Sequence, residues 1–167
     1  MNSITRRGAM TLGMAALGAA CSKTKTLTYV GPQVTRIQIQ KADRRMYLLH
    51  EHTIVQAYDV QLGFTAEGPK QFSGDGKTPE GRYHIDRRNP NSSFYLSIGI
   101  DYPNAADRAF AAAQGRSPGG DIFIHGWGDK RRKASADWTA GCIAVKNREL
   151  LDIYAMVGTG TPVDILA

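Results

Sequence analysis

The chain has 167 residues, 42% of them hydrophobic, with 21 Lys and Arg against 15 Asp and Glu and a formal net charge of +6. That length suits one domain with a proper core. The basic residues are scattered rather than striped along one helix, which argues against nucleic-acid binding and for attraction to an anionic cell-envelope polymer.

At the N-terminus, Arg6 and Arg7 precede a small-residue apolar segment, residues 8–20, too short to span a bilayer as a stable helix. Residues 1–21 are therefore expected to be an export signal, which places the protein in the periplasm or cell envelope. Thr5-Arg6-Arg7 resembles a twin-arginine signal, with an ordinary Sec signal as the alternative. Leu17-Gly18-Ala19-Ala20-Cys21 is similar to a lipoprotein processing site, although Leu17 lies one residue further upstream than usual. On this reading a lipid anchor at Cys21 is the protein's only contact with a membrane. Removal of the segment leaves about 146 residues and lowers the charge to +4, because it takes two arginines and no acids.

Residues 22–33 read as a tether. Residues 34–40 alternate as a strand, and residues 45–50 and 53–62 form a predicted hairpin with His50-Glu51-His52 at its turn. His50 and His52 have no third ligand of suitable spacing, so exposed hairpin residues account for them better than a metal site. Residues 63–81 make a long loop punctuated by Gly and Pro, of the kind that carries function in compact domains. Strands are expected over 83–85 and 94–100, a helix capped by Asn104 over 105–114, an apolar strand at 122–124, and another at 143–145. Asn147 is expected to cap a second helix, with Leu150, Ile153, Tyr154 and Val157 on its apolar face. A final strand covers 161–166.

With Cys21 assigned to processing, Cys142 is a lone thiol in a disulfide-permissive compartment. A Cys21–Cys142 disulfide satisfies parity, but cleavage or acylation at Cys21 precludes it. A buried inert cysteine is the bland alternative to a reactive one. His125 ends one apolar run and Cys142 begins another, so the two can face each other. An imidazole there can take the thiol proton, because the thiolate is the nucleophile. The amides of Gly141 and Cys142 can point at a developing oxyanion.

His125-Gly126, Thr139-Ala140-Gly141-Cys142-Ile143 and Asn147, with Cys142 17 positions after His125, resemble the signature of YkuD-type L,D-transpeptidase catalytic domains, cysteine enzymes that remodel bacterial peptidoglycan. Thr78-Pro79-Glu80-Gly81 with Tyr83 matches that family's Thr-Pro-x-Gly loop. Tyr102-Pro103-Asn104 with Asp107 is similar to its YafK-related branch. The likeness covers roughly residues 36–166. It implies a mainly β fold, a β-sandwich or curled sheet with two short helices, and a catalytic domain over 34–167.

The resemblance further implies that Cys142 is the nucleophile and His125 its proton acceptor, oriented by the Gly126 carbonyl. Thr139, Trp127, Trp138 and Tyr102 are the candidate substrate contacts. The loop with Lys130, Arg131, Arg132 and Lys133 is expected over the cleft. No cofactor or metal is implied. The expected substrate is a peptidoglycan stem tetrapeptide, which forms a thioester on Cys142 and passes to an amine, including one on a wall-attached protein or peptide. The same dyad also fits a hydrolase, either an L,D-carboxypeptidase or an amidase releasing wall-linked protein; a non-catalytic wall-binding lipoprotein is the third reading. Two positions depart from the pattern. Ala140 replaces a frequent His, and Ala144 replaces a frequent Arg suited to anchoring a carboxylate.

Overall fold

The computed structural model describes residues 27–129 and 136–167. The expectations for residues 1–26, including the export signal and Cys21, and for Lys130, Arg131, Arg132 and Lys133 lie outside the described residues. Residues 27–33, the described part of the expected tether, carry no regular structure.

Period-two alternation sets the strands. Ile37 and Ile39 of β1 (Arg36–Gln40), Met46 and Leu48 of β2 (Arg45–His50), Tyr83 and Ile85 of β4 (Gly81–Asn89), and Val163 and Ile165 of β8 (Pro162–Leu166) all turn inward and are buried. β3 (Thr53–Asp59) is the outer strand of the β2–β3 hairpin, and Ile54 stays exposed on it. β5 (Ser97–Ile100) is buried at every position. Helix α1 (Ala105–Ala113) follows it, then β6 (Phe123–His125), β7 (Ile143–Ala144) and α2 (Asn147–Met156).

The strands form one eight-stranded sheet in the order β3-β2-β1-β8-β4-β5-β6-β7. β4 belongs to both halves. Its start, from Gly81 to His84, pairs with β8, and after an irregularity between Ile85 and Arg87 its end pairs with β5. The chain leaving β3 then returns to the far edge, where Gln61 and Ala144 exchange both backbone hydrogen bonds at 2.9 and 2.8 Å. The sheet therefore curls until its two ends meet, as the mainly β, curled-sheet expectation requires. The core fills its inside and the space under α2.

Three strands differ most from their expected bounds. β3 stops at Asp59 because residues 60–62 depart to join β7. β5 begins only at Ser97, because Tyr95 adopts φ 81 and turns the chain first. β4 runs on through polar Asp86, Arg87 and Arg88 because its two faces are used differently: Arg88 donates to the Tyr154 and Val157 carbonyls at the end of α2, and Arg87 lies on the opposite face.

The caps divide in the same way. Asn104 caps α1 as expected, accepting from the Ala106 and Asp107 amides, and Asp107 completes the capping box by accepting from the Asn104 amide at 2.9 Å. Asn147 does not cap α2. Lys146 holds that position, and Glu149 accepts from its amide at 3.0 Å, leaving the Asn147 side chain for another task.

Candidate active site

β6 and β7 are adjacent and parallel, with Ile124 opposite Ile143 and His125 opposite Ala144. Ile124 and Ile143 point into the core. His125 and Phe123 therefore take the other face, as do Ala144 and, by the same alternation, Cys142. Histidine and cysteine are thus diagonal neighbours on one face, one strand apart.

His125 is buried and tightly oriented. Its Nδ1 donates to its neighbour's carbonyl, Gly126 O, at 2.6 Å. This fixes the tautomer in which Nε2 carries the lone pair. The ring stacks against Phe94 at 4.5 Å and meets Trp138 edge-on at 5.6 Å between centroids. Trp138 is itself fixed, donating from Nε1 to Gln61 Oε1 at 2.7 Å.

The turn after His125 is held by Asn147, whose Oδ1 accepts from the Gly128 amide at 3.1 Å and whose Nδ2 donates to the Gly128 carbonyl at 2.9 Å. Gly126 must lack a side chain, because a Cβ there would stand 2.6 Å from Asn147 Oδ1 and 2.7 Å from the Phe94 carbonyl.

Cys142 is a free thiol. Its Sγ accepts from the Phe123 amide and donates to the Asp121 carbonyl, each at 3.4 Å. Burial pushes the thiol pKa above its ordinary value. The Phe123 amide pulls it down, the Asp121 carboxylate adds to the rise, and Lys70 and Arg87 oppose it. At neutral pH the resting group is a thiol, so a nucleophile needs a base beside it.

The turn that delivers Cys142 is built by Thr139, which donates from Oγ1 to the Cys142 carbonyl at 2.7 Å and accepts from the Gly141 amide at 3.1 Å. Thr139 is buried and also exchanges backbone hydrogen bonds with Leu62 and Phe64. It is a pin of the turn, not the substrate contact expected. Gly141 is likewise corrected as an oxyanion donor, since Thr139 occupies its N–H. The Cys142 amide has no acceptor among the described residues. Gly141 has φ 134, and a Cβ on it would stand 2.5 Å from the Lys77 carbonyl, so this turn packs directly under the 63–81 loop.

That loop is clamped by two buried lysines. Lys41 reaches the Gly68 and Thr78 carbonyls and Glu80 at 2.7 to 3.1 Å. Lys70 donates to the Phe72 carbonyl and to Asp75 Oδ1 at 2.9 Å. Burial alone would raise the Asp75 pKa, but the Phe72, Gln71 and Lys77 amides and Lys70 outweigh it and hold the carboxyl down at about 2. The Thr78-Pro79-Glu80-Gly81 motif contributes here, as Thr78 Oγ1 accepts from the Gly63 amide at 3.0 Å.

The remaining expected substrate contacts separate. Tyr102 is a core residue, buried against Tyr83 with its hydroxyl donating to the Pro118 carbonyl at 2.9 Å, so its expected contact with substrate is corrected. Trp138 packs on His125. Trp127 lines a cavity of about 300 Å³ with Ala144, Gln61, Asp59, Asp43 and Lys146, beside the turn after His125. His50 and His52 lie at the β2–β3 turn, His50 Nδ1 against the Gln33 carbonyl at 2.8 Å.

Phe94, Asn147 and Lys70 belong to the site's immediate support; Asn147 entered the sequence reading as a signature residue and helix cap, and Phe94 and Lys70 were not singled out for the site. Phe94 was readable only as an alternating strand residue, and Asn147 carried a helix-cap signal that competed with its real use.

Residues 34–165 match the YkuD family, described as the L,D-transpeptidase catalytic domain. The chain belongs to this family. It is 31% identical over 128 residues to YafK of Escherichia coli strain K12, a match covering 72% of this chain and 46% of YafK. Among solved structures it resembles the helical cell shape determining protein Pgp2 of Campylobacter jejuni, at 28% identity and TM-score 0.61, over 86% of this chain and 51% of Pgp2. An Enterococcus faecium L,D-transpeptidase shares the fold at 16% identity and TM-score 0.55, over 80% of this chain and 50% of that one. The chain thus spans about half the length of these relatives. The likeness to YafK is in keeping with the expected branch.

Proposed function

We propose that this protein is a peptidoglycan-remodelling L,D-transpeptidase that works through a Cys142 thioester. The observation that carries the reading is the pairing of β6 with β7, with Cys142 and His125 on one face and Nδ1 of His125 committed to Gly126. Nε2 of His125 takes the Sγ proton as the sulfur attacks the carbonyl at the L-centre of the third stem residue. The tetrahedral oxyanion takes a hydrogen bond from the Cys142 amide. Collapse expels the terminal D-alanine, whose amine receives the proton from His125, and leaves the thioester. An acceptor amine, deprotonated by the same imidazole, then attacks and restores the thiol. Burial of the thiol supports this division of labour, because a thiol with a raised pKa contributes little thiolate until His125 removes its proton.

A second reading keeps every step to the thioester and lets water discharge it. Ala144 favours this reading, since it supplies no carboxylate anchor and lines a cavity of about 300 Å³. The protein is exported on either reading, with Cys21 as the acylated N-terminus. The mass of the mature protein from envelope fractions tests this, and an unmodified N-terminus upstream of Cys21 would refute it.

The deciding experiment mixes the protein with disaccharide-tetrapeptide and, separately, with cross-linked sacculi, and follows products by mass spectrometry. A dimer that has lost one D-alanine is the expected product. Tripeptide alone, or released wall-bound peptide, establishes the hydrolase. Cys142→Ala should remove all product while the circular dichroism spectrum stays unchanged; turnover by that variant would end the nucleophile assignment.

A further inference from the structure

Arg87 of β4 is opposite Gly99 of β5, and Gly99 is opposite Phe123 of β6. Carrying the β6–β7 register one residue back from Ile124 and Ile143 brings Cys142 opposite Phe123, in agreement with the bond from the Phe123 amide to Sγ. Four residues on neighbouring strands therefore form one row on the face that holds the thiol.

Arg87 lies flat along that row. A Cβ on Gly99 would stand 2.7 Å from Arg87 Cγ and 2.8 Å from Nε, so glycine leaves the groove in which the side chain runs. Beyond it, the guanidinium carbon is 4.4 Å from the centre of the Phe123 ring. The aromatic face holds the planar fork in place without consuming its N–H donors. Two carboxylates take part of the fork: one terminal nitrogen donates to Asp86 at 2.6 Å and the other reaches Asp121 at 3.3 Å, out of five N–H donors in all. The Asp121 side chain is 90% exposed, so that contact is weak and easily displaced.

The other nearby cation, Lys70, is buried and committed to Asp75 and the Phe72 carbonyl. Ala144 offers nothing to an anion. Among the described residues Arg87 is thus the cation beside the thiol with donors to spare.

We propose that Arg87, seated on Phe123, is a carboxylate-binding subsite that takes the terminal carboxylate of the donor peptide. The inference rests on the thioester reading and specifies its substrate. Neighbouring strands are about 4.8 Å apart, which puts the fork roughly one strand from Cys142. A peptide residue spans about 3.5 Å, so a carboxylate one residue beyond the attacked carbonyl can reach the fork. The pair is charge-assisted and can be bidentate, and Asp121 is the internal carboxylate it replaces.

The test is a binding cycle on the full chain carrying Cys142→Ala, which removes turnover from the readout. Two donor tetrapeptides are titrated, one ending in a carboxylate and one in a carboxamide, against chains with and without Arg87→Gln. Amidation should weaken binding about tenfold with Arg87 present and less than twofold after Arg87→Gln, as expected for loss of one charged hydrogen-bonded pair. Arg87→Lys should restore part of the preference, and Asp121→Asn, by freeing the fork, should tighten the carboxylate peptide alone. These two variants decide the matter if Arg87→Gln does not fold. With Cys142 intact, Arg87→Gln should raise KM for the carboxylate peptide about tenfold and change kcat less. An equal effect of amidation in both chains, or no binding of either peptide, overturns the subsite. Absence of product with Cys142 and Arg87 both intact would instead count against the proposed reaction, whatever the binding cycle gives.

Discussion

His125 and Cys142 are carried by two neighbouring chain segments and held in opposite ways. His125 is enclosed, with Phe94 and Trp138 against its ring, Nδ1 tied to Gly126, and the following turn clamped by Asn147. Cys142 stands at the edge of the exposed side. Among the described residues its sulfur hydrogen-bonds two backbone groups, each at 3.4 Å, with Asp121, Arg87 and Lys70 as its charged surroundings. The difference follows from what each group does in the proposed reaction. A base is useful only in one tautomer and one orientation, which dense packing enforces, whereas a nucleophile must be reached by a bulky peptide. Packing around the histidine therefore carries structure and chemistry together, while a substitution on the open side of the cysteine, as at exposed Asp121, can alter chemistry with little cost to the fold.

The largest expected effect on stability comes from Gly126→Ala, which pushes a methyl group into Asn147 and the Phe94 carbonyl. It should destabilise the protein by about 3 kcal/mol and cut turnover as His125 shifts. Thermal unfolding measures the first and product formation the second; an unchanged Tm would mean that the enclosure is looser than described. Asn147→Ala leaves the Gly128 amide and carbonyl without their partner and should cost about 2 kcal/mol. Its turnover should fall further than that loss of stability predicts, whereas a pure helix-cap role would lower Tm alone.

The thiol side is sharpened by alkylation. Because burial raises the Cys142 pKa, its thiolate is scarce below the ordinary cysteine range and grows only as pH rises above it. The iodoacetamide rate of His125→Gln should therefore climb at higher pH than that of a free cysteine. Reaction at or below neutral pH in that variant would place the activating charge elsewhere, with Arg87 and Lys70 first in line. The smallest effect belongs to a site outside the comparison. Replacing His50 and His52 together should change turnover by less than twofold, since both sit at the β2–β3 turn; a large loss with release of bound metal would restore the metal reading.

Much of the fold was readable because it rests on local pattern. Alternating Ile37 and Ile39, or Met46 and Leu48, announce a half-buried strand wherever the chain goes. Asn104 with Asp107 three residues later is a capping signal that needs no distant partner. The glycine-flanked spacing of Cys142 and His125 was legible as a candidate pair, and the register of β6 with β7 sets the two on one face. Residues whose meaning depends on a neighbour far along the chain were not. Phe94 is an alternating apolar residue until the turn before β5 sets it against His125. Thr139 and Tyr102 have the chemistry of substrate contacts until burial commits their hydroxyls to Cys142 and Pro118.

By itself, then, the sequence determined the β character of the chain, the start of α1, and the presence of one thiol and one imidazole beside apolar runs, because each is encoded within a few residues. The tertiary structure decided which donors are free. Closure of the sheet through Gln61 and Ala144, the bend of β4, and the row from Arg87 over Gly99 to Phe123 are cross-strand relations between segments up to 83 residues apart. No local preference specifies them; they are settled when the sheet curls and each side chain meets the one neighbour that register gives it.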